Sequence, residues 1–389
     1  MENDDGGGFK LSEELSALRE QVRRIIRDEI IPIEKKIDPD AAEIPEDDYW
    51  RLAKKVQTAG MWCMGAPKKY GGGGLGTFDM CVLTEEMAQH RLGLYNPGAG
   101  VFGRNPPPVI YGGSEEQIQN YVVPTLKNAW HTFFAITEPS GGSDPAGAIQ
   151  CRAVRKGDTY VLNGTKIFIS HAHEAEWGVV FTRTDPKAGR GGITCFIIKK
   201  GQPGFTPRPI RTIRTSAIPN EVQFEDCVVP VEQRLGEEGQ GLNLALDLLT
   251  RLRFPYSACN VGVGVAALKM AIEHAKTRST FGQLLAKRQA IQWMLADSEV
   301  ELRAARWLTW EGAWKADRGE DSRMEASIAK LYSSETLGRV IDRAVQIHGG
   351  YGVSKEFPLE RWYREARIRR IGEGPSEVHR MVIARNLLR

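Results

Sequence analysis

The stretch FAITEPSGGSD, Phe134 to Asp144, continues through GDTYVLNG, Gly157 to Gly164, and ends in TKIFIS, Thr165 to Ser170. Gly141, Gly142, Ser143 and Asp144 form a small-residue loop in which two successive glycines remove the Cβ barrier to a tight concave turn. Backbone N–H groups in such a loop can approach a pyrophosphate or the edge of a flavin. Downstream, Tyr160–Leu162 and Ile167–Ile169 are β-branched and aromatic runs separated by Asn163-Gly164, a dipeptide that tolerates positive φ. The spacing predicts a hairpin there, with Ser170 at a strand end facing a site.

Outward from this stretch the period of the apolar residues changes twice. From Leu11 to about His131 it is helical, as in Leu15, Leu18, Val22, Ile25 and Ile26, with breaks near Pro32, Pro67 to Gly76 and Pro106 to Pro108. The first eight or nine residues, acidic and then glycine-rich, read as a loose arm. From Thr132 to about Gly236 the pattern is of strands, with turns at Gly157-Asp158, Asn163-Gly164 and Gly189 to Gly192, which predicts an antiparallel β domain. After Gly239 helices return, and Ala326 to Ile347 carries an apolar face wide enough to be buried in a bundle. The expected architecture is α+β, with an N-terminal helical domain (1–131), a middle antiparallel β domain (132–238) and a C-terminal helical domain (239–389).

Composition narrows the function classes. With 389 residues, 41% hydrophobic and 26% charged, the chain is an ordinary globular sequence, and a formal charge of +3 gives no field that argues for nucleic acid. No segment approaches the ~18 uninterrupted apolar residues of a membrane helix. Six cysteines show neither a C-x-x-C pair nor a dense framework, and no charged-then-apolar leader is visible, so core thiols and a cytoplasmic location are expected. The basic run from Arg361 to Arg370, interleaved with Glu360 and Glu365, reads as a solvated, salt-bridged helix face.

Several further motifs stand in a fixed order: Tyr70-Gly71-Gly72, Gly113 to Gln117, Phe224-Glu225-Asp226 with Val229-Pro230, Arg278 to Gly282, Gln346 to Gly350, and Glu373-Gly374-Pro375-Ser376-Glu377. Together with the Thr137-Glu138-Pro139 loop they make the chain resemble the acyl-CoA dehydrogenase family along essentially its whole length. The resemblance implies that the C-terminal helices form a four-helix bundle. It also implies FAD as cofactor, an acyl-CoA thioester as substrate, an electron-transfer flavoprotein as electron acceptor, and a homo-oligomer, dimer or tetramer, in which a neighbouring subunit completes the site.

Glu373 stands between Gly372 and Gly374, close to Pro375, where the backbone should bend and let the carboxylate project. By resemblance it is the catalytic base that removes the proton α to the thioester while a hydride leaves the β carbon for flavin N5. An apolar, closed site would suit that task by strengthening the carboxylate as a base. The alternative is a glutamate that caps the next helix with Ser376 and Glu377. Some relatives carry the base on an earlier helix, where this chain has Leu252. The neighbouring Arg253 matches an arginine near the acyl-CoA chain, with an ion pair to Asp247 or Glu273 as the alternative.

Also by resemblance, FAD contacts fall to Phe134, Ala135, Ile136, Thr137, Gly142 and Ser143, then to Phe168, Ile169 and Ser170. Phe168 replaces the commoner tryptophan, and Ser170 replaces threonine while keeping the hydroxyl. Arg278, Thr280, Phe281, Gln289, Gln346, Gly349 and Gly350 match contacts to the adenosine diphosphate half, and Pro375, Ser376 and Glu377 match further cofactor contacts. Ser143, Arg253 and Gly374 match positions on the substrate. Gly372 stands where many relatives have tyrosine, which suggests room for a branched, cyclic or aryl-substituted acyl group. An oxidase or monooxygenase of the same superfamily, or a non-catalytic FAD-binding subunit, are the other readings.

Two motifs are set aside. Gly71-x-Gly73-x-x-Gly76 fits a dinucleotide fingerprint, but no clear strand precedes it and no parallel βαβ unit follows, so a turn between helices is expected. His171 and His173 suggest a metal pair, yet no completing ligand set is evident, and no metal is expected.

Overall fold

The computed structural model describes residues 10–388, apart from the side chains of 247 and 248. The predicted N-terminal arm lies outside that range. In chain order the helices Glu13–Ile25 (α1), Glu46–Thr58 (α2) and Thr77–Met87 (α3) come first. Strands Thr132–Ala135 (β1), Arg152–Lys156 (β2), Thr159–Ser170 (β3), Trp177–Arg183 (β4), Ile193–Lys199 (β5), Phe205–Pro209 (β6), Pro219–Pro230 (β7) and Arg234–Leu235 (β8) follow. Then come helix Gly241–Thr277 (α4), the short strands Ser279–Thr280 (β9) and Gln283–Leu284 (β10), and helices Gln289–Asp317 (α5), Arg323–His348 (α6), Leu359–Arg369 (α7) and Ser376–Leu387 (α8). Helical parts thus flank a β domain, as the change of period predicts.

The chain forms two compact units, each assembled from three stretches of sequence. The first takes the residues up to Leu52, Gly76–Ala99 and Arg253–Arg367; the second takes Ala53–Leu75, Gly100–Leu252 and Ile368–Arg389. In the first unit, α4, α5, α6 and α7 bury Ala267, Leu302, Leu337, Ile341 and Trp362 in one apolar cluster. A row of acids on α3 is buried with them. Glu86 accepts from Arg19 (2.8 Å) and Arg23 (3.0 Å) of α1, and Glu85 receives Arg306 of α5. Gly262 is the point where α4 touches α3, since a Cβ there would lie 2.1 Å from the carbonyl oxygen of Glu85.

The basic run on α7 is not a solvated face. Arg361 and Glu365 are buried and paired at 3.2 Å, and Arg361 also donates to the carbonyls of Pro39 (3.0 Å) and Ala41 (2.8 Å). A guanidinium with five donors can be buried where backbone acceptors and a carboxylate converge, which charge pattern alone does not reveal.

In the second unit one sheet runs in the order β6-β7-β3-β2-β4-β5-β8, with β1 added beside β4. The pairings are antiparallel except β1 with β4 and the single contact of β2 with β4, which are parallel. Two apolar clusters lie against it, one containing Trp177, Val179, Phe181 and Ile197 and the other Phe133, Tyr160, Val180 and Phe196, so that β4 alternates between them.

The hairpin predicted at Asn163-Gly164 is absent: β3 runs on through these residues with a shift of register against β7. The Asn163 amide donates to Asp226 (3.1 Å) and its oxygen accepts from the Asp226 N–H (2.9 Å), while Gly164 presses on Cys151, whose Cα a Cβ would meet at 2.7 Å. The dipeptide makes a bulge, which needs the same backbone freedom as a turn. The β2–β3 hairpin turns instead at Gly157-Asp158.

The Gly71 to Gly76 segment is a hydrogen-bonded turn ahead of α3: Gly73 and Gly74 donate to Cys63 (3.2 Å) and Ala66 (2.8 Å). All six cysteines are buried and none forms a disulfide, and burial pushes the thiols of Cys63 and Cys151 up to about 12, which makes them unreactive core groups.

Candidate functional site

In the second unit, loop 136–144 rests directly on β3. The N–H of Ile167 donates to the Thr137 carbonyl at 2.9 Å, and the Lys166 ammonium reaches the Ile136 carbonyl (3.2 Å) and the Glu138 carboxylate (2.8 Å). Glu138 also takes the N–H groups of Gln150 (2.7 Å) and Cys151 (3.0 Å). Lys166 and Glu138 are both buried, and burial pulls the lysine below its ordinary value. The pair thus fastens the loop from beneath. Gly141 donates back to the Glu138 carbonyl (3.0 Å), and a Cβ on Gly142 would lie 3.1 Å from the Thr137 methyl. Close packing of the loop on itself, rather than left-handed backbone, is what these glycines permit. Gly142, Ser143 and Asp144 are exposed above it.

A second irregularity of register between Lys166 and Ile169 turns Phe168 outward at φ +59°, leaving it 59% exposed while Ile169 stays in the core. Ala135 and Ile169 are buried and Phe134 packs on Phe181 (ring centroids 4.9 Å), so at these positions a ligand finds main chain rather than side chain. At the end of β3, Arg214 donates to the Ser170 hydroxyl oxygen at 2.8 Å. A guanidinium has no acceptor, so the oxygen takes that bond and the hydroxyl hydrogen remains to be given elsewhere. Arg214 was not among the candidate residues; 44 positions separate it from Ser170. Just beyond, the His171 Nδ1 bonds to Glu174 at 2.6 Å, and burial lowers the imidazole from its ordinary value.

Glu373 occupies the bend between α7 and α8. Gly372 donates to the Ile368 carbonyl (3.0 Å) and Ser376 to the Arg370 carbonyl (3.1 Å), while Glu373 and Gly374 take φ of +58° and +92°. His379 Nε2 lies 3.1 Å from the Glu373 carbonyl oxygen, bracing the bend from inside α8. The helix interruption matches expectation; the surroundings differ, since the Glu373 side chain is exposed rather than enclosed by apolar groups. Pro375 precedes the first turn of α8, where Ser376 is buried and Glu377 exposed. An open depression of about 320 Å³ in this unit is lined by residues including Pro108, Val109, Leu244 and Arg251.

The candidate diphosphate residues belong to the first unit and lie at its surface. Phe281 and Gly282 form the tip of the β9–β10 hairpin, with Phe281 at φ +50° and fully exposed. Arg288, also absent from the candidate set, donates to the Thr280 carbonyl and lies over the Phe281 ring at 5.7 Å. Arg278, Gln289, Gln346, Gly349 and Gly350 are exposed, and Gly349 takes φ +60° at the end of α6 with open space where a Cβ would be. Arg253 is half-buried on α4 beside exposed Leu252. Glu273 pairs with Lys276, and the Asp247 side chain lies outside the described residues. Exposed aromatic faces, a hydroxyl donor and open glycine main chain are what a flavin and its diphosphate require.

Sequence profiles of the acyl-CoA dehydrogenase N-terminal, middle and C-terminal domains match residues 12–129, 133–227 and 239–388. An acryloyl-CoA reductase (NADH) of Anaerotignum propionicum is 35% identical, the alignment covering 98% of this chain and 96% of the relative. A 3-(aryl)acrylate reductase of Clostridium sporogenes is 36% identical, with 95% and 98% covered. Among solved structures, butyryl-CoA dehydrogenase from Megasphaera elsdenii superposes with a TM-score of 0.87 at 32% identity, covering 98% of this chain and all of that one.

Proposed function

The chain belongs to the acyl-CoA dehydrogenase family, an FAD-dependent group of oxidoreductases, and from that premise we propose that it converts an acyl-CoA thioester to the trans-2-enoyl-CoA with Glu373 as base. The observation that carries the assignment is the break between α7 and α8, where a glutamate at positive φ projects from a bend braced by His379. FAD, when bound, would supply the acceptor for the hydride that leaves the β carbon. Glu373 takes the α proton, and its own backbone N–H polarises the thioester carbonyl as charge develops there. Thr137, Ser143, Phe168 and Ser170 would hold the isoalloxazine end, with the Ser170 hydroxyl as donor. The surface of Arg278, Thr280, Phe281, Gln289, Gln346 and Gly349-Gly350 would hold the diphosphate end of a neighbouring subunit's cofactor. Since Glu373 is exposed in the single chain, the ligands themselves would supply its apolar cover and exclude water.

A homo-oligomer is supported by a row of exposed apolar side chains on α5, Trp293, Val300, Trp307 and Trp314, repeating every seventh residue along one face. Buried cysteines without disulfides suit the cytoplasm, and no described helix is long and apolar enough to cross a membrane. An electron-transfer flavoprotein is the acceptor the family suggests; low peroxide yield in air would separate this from an oxidase. The acryloyl-CoA and arylacrylate reductases among the relatives favour a second reading in direction only: reduction of a 2-enoyl thioester, with Glu373 returning the proton. A branched, cyclic or aryl-substituted acyl group is the substrate class suggested by Gly372 and by the aryl relative.

The test is anaerobic bleaching of the flavin band by butyryl-, octanoyl-, isobutyryl- and cyclohexanecarbonyl-CoA, alongside re-oxidation by the corresponding enoyl thioesters. Glu373→Gln should keep FAD yet fail to bleach with any of them. Bleaching by that variant at the native rate removes Glu373 as the base.

A further inference from the structure

Three side chains converge where β1 begins and β3 ends. His131 directly precedes β1, and its carbonyl accepts from the Glu176 N–H at 3.0 Å as β1 and β4 start their parallel pairing. His171 directly follows β3; its N–H donates to the Ile218 carbonyl at 3.1 Å, and its own carbonyl accepts from Glu174 (3.0 Å) and Ala175 (2.9 Å) in a tight turn. That turn carries Glu174 beneath both imidazoles. His171 Nδ1 stands 2.6 Å and His131 Nδ1 3.8 Å from the same carboxylate oxygen, and the rings stack at 4.6 Å. One donor atom from each of the three lies within 4.8 Å of the others.

We propose that His131, His171 and Glu174 bind a divalent transition metal of the zinc class, two imidazole nitrogens and one carboxylate oxygen filling part of its shell and water the rest. Donors about 2.0–2.1 Å from a tetrahedral ion stand roughly 3.4 Å apart, a spacing that the observed separations bracket, so small side-chain rotations complete the set. Imidazole selects zinc, cobalt, nickel or copper over magnesium and calcium. The backbones of His131 and His171 are tied to residues beside neighbouring strands and that of Glu174 to the His171 carbonyl, which reduces the ordering that binding must impose. His173, the partner that sequence spacing offers, is not part of the set; His131, 40 positions upstream of His171, takes its place. Arg104 faces His171 and opposes a cation there, so a reversible site is expected rather than a permanently filled structural one. The proposal is independent of the acyl-CoA reading, because it needs only the sheet.

The experiment uses the full-length FAD-loaded protein stripped with a chelator, titrated with Zn²⁺ by calorimetry and with Co²⁺ by visible difference spectroscopy, with Mg²⁺ in parallel. One Zn²⁺ per chain, ligand-field bands of bound Co²⁺ that Zn²⁺ displaces, and no Mg²⁺ binding are expected. His131→Asn and Glu174→Gln should each weaken Zn²⁺ by at least ~10-fold, about 1.4 kcal/mol, with FAD content and metal-free melting temperature unchanged. No saturable Zn²⁺ binding by the native chain, or undiminished binding in the double variant, overturns the proposal. Should His131→Asn lose FAD or fold, Glu174→Gln alone decides it, since that residue sits on the loop after β3.

Discussion

Ser170 and Arg214 define a hydroxyl with a direction. Because the guanidinium donates at 2.8 Å, Arg214→Met frees the hydroxyl to rotate, and we expect FAD to stay bound while reduction by substrate slows ~10-fold, about 1.4 kcal/mol in the barrier. Ser170→Ala should slow it similarly, and the double variant no further; additive losses in anaerobic stopped-flow would show that the two act separately. Gly372 makes a prediction about shape: Gly372→Tyr should depress kcat/KM for cyclic and aryl thioesters at least ~10-fold more than for butyryl-CoA, and a uniform loss would remove the size argument. At this scale the sequence made legible the bend around Glu373 and the strand end at Ser170, because flanking glycines and a β-branched run mark them. It was silent on Arg214 and His131, whose partners lie 44 and 40 positions away and are brought near only by strand pairing.

Between elements, α1 and α3 are joined through Glu86, held by Arg19 and Arg23. Burial raises its carboxyl, but the hydrogen bonds and charges of the two arginines outweigh that and hold it below the ordinary 4.5. The folded value is therefore the lower one, so the stabilisation is complete above pH 4.5 and fades as pH falls through the folded value. Glu86→Gln should cost roughly 3 kcal/mol at neutral pH and progressively less in acid, measured by urea unfolding across that range; a constant difference would contradict the linkage. The alternation of helical, strand and helical periods was legible because one face of each element is buried. The bulge at Gly164 was not, since its cause is a contact with Cys151 across the sheet. Nor was the burial of Arg361, whose acceptors are carbonyls near residue 40 rather than anything on its own helix.

For the whole molecule, the exposed apolar row on α5 is the face the proposed assembly would use: Trp293→Glu with Trp307→Glu should lower the mass by light scattering and loosen FAD together. An unchanged mass would leave that face without a partner copy. Both compact units are built from separated stretches of chain, and Glu85 finds Arg306 only 221 residues later. At about 5–20 residues per second on a ribosome, that wait lasts roughly 10–40 s. The sheet between Thr132 and Leu235 emerges entire in the meantime, so nascent α3 carries Glu85 without Arg306 over that interval, while Glu86 already has Arg19 and Arg23. Biogenesis of this chain thus has a vulnerable interval that its finished form conceals, and helper proteins acting during synthesis have their opportunity there.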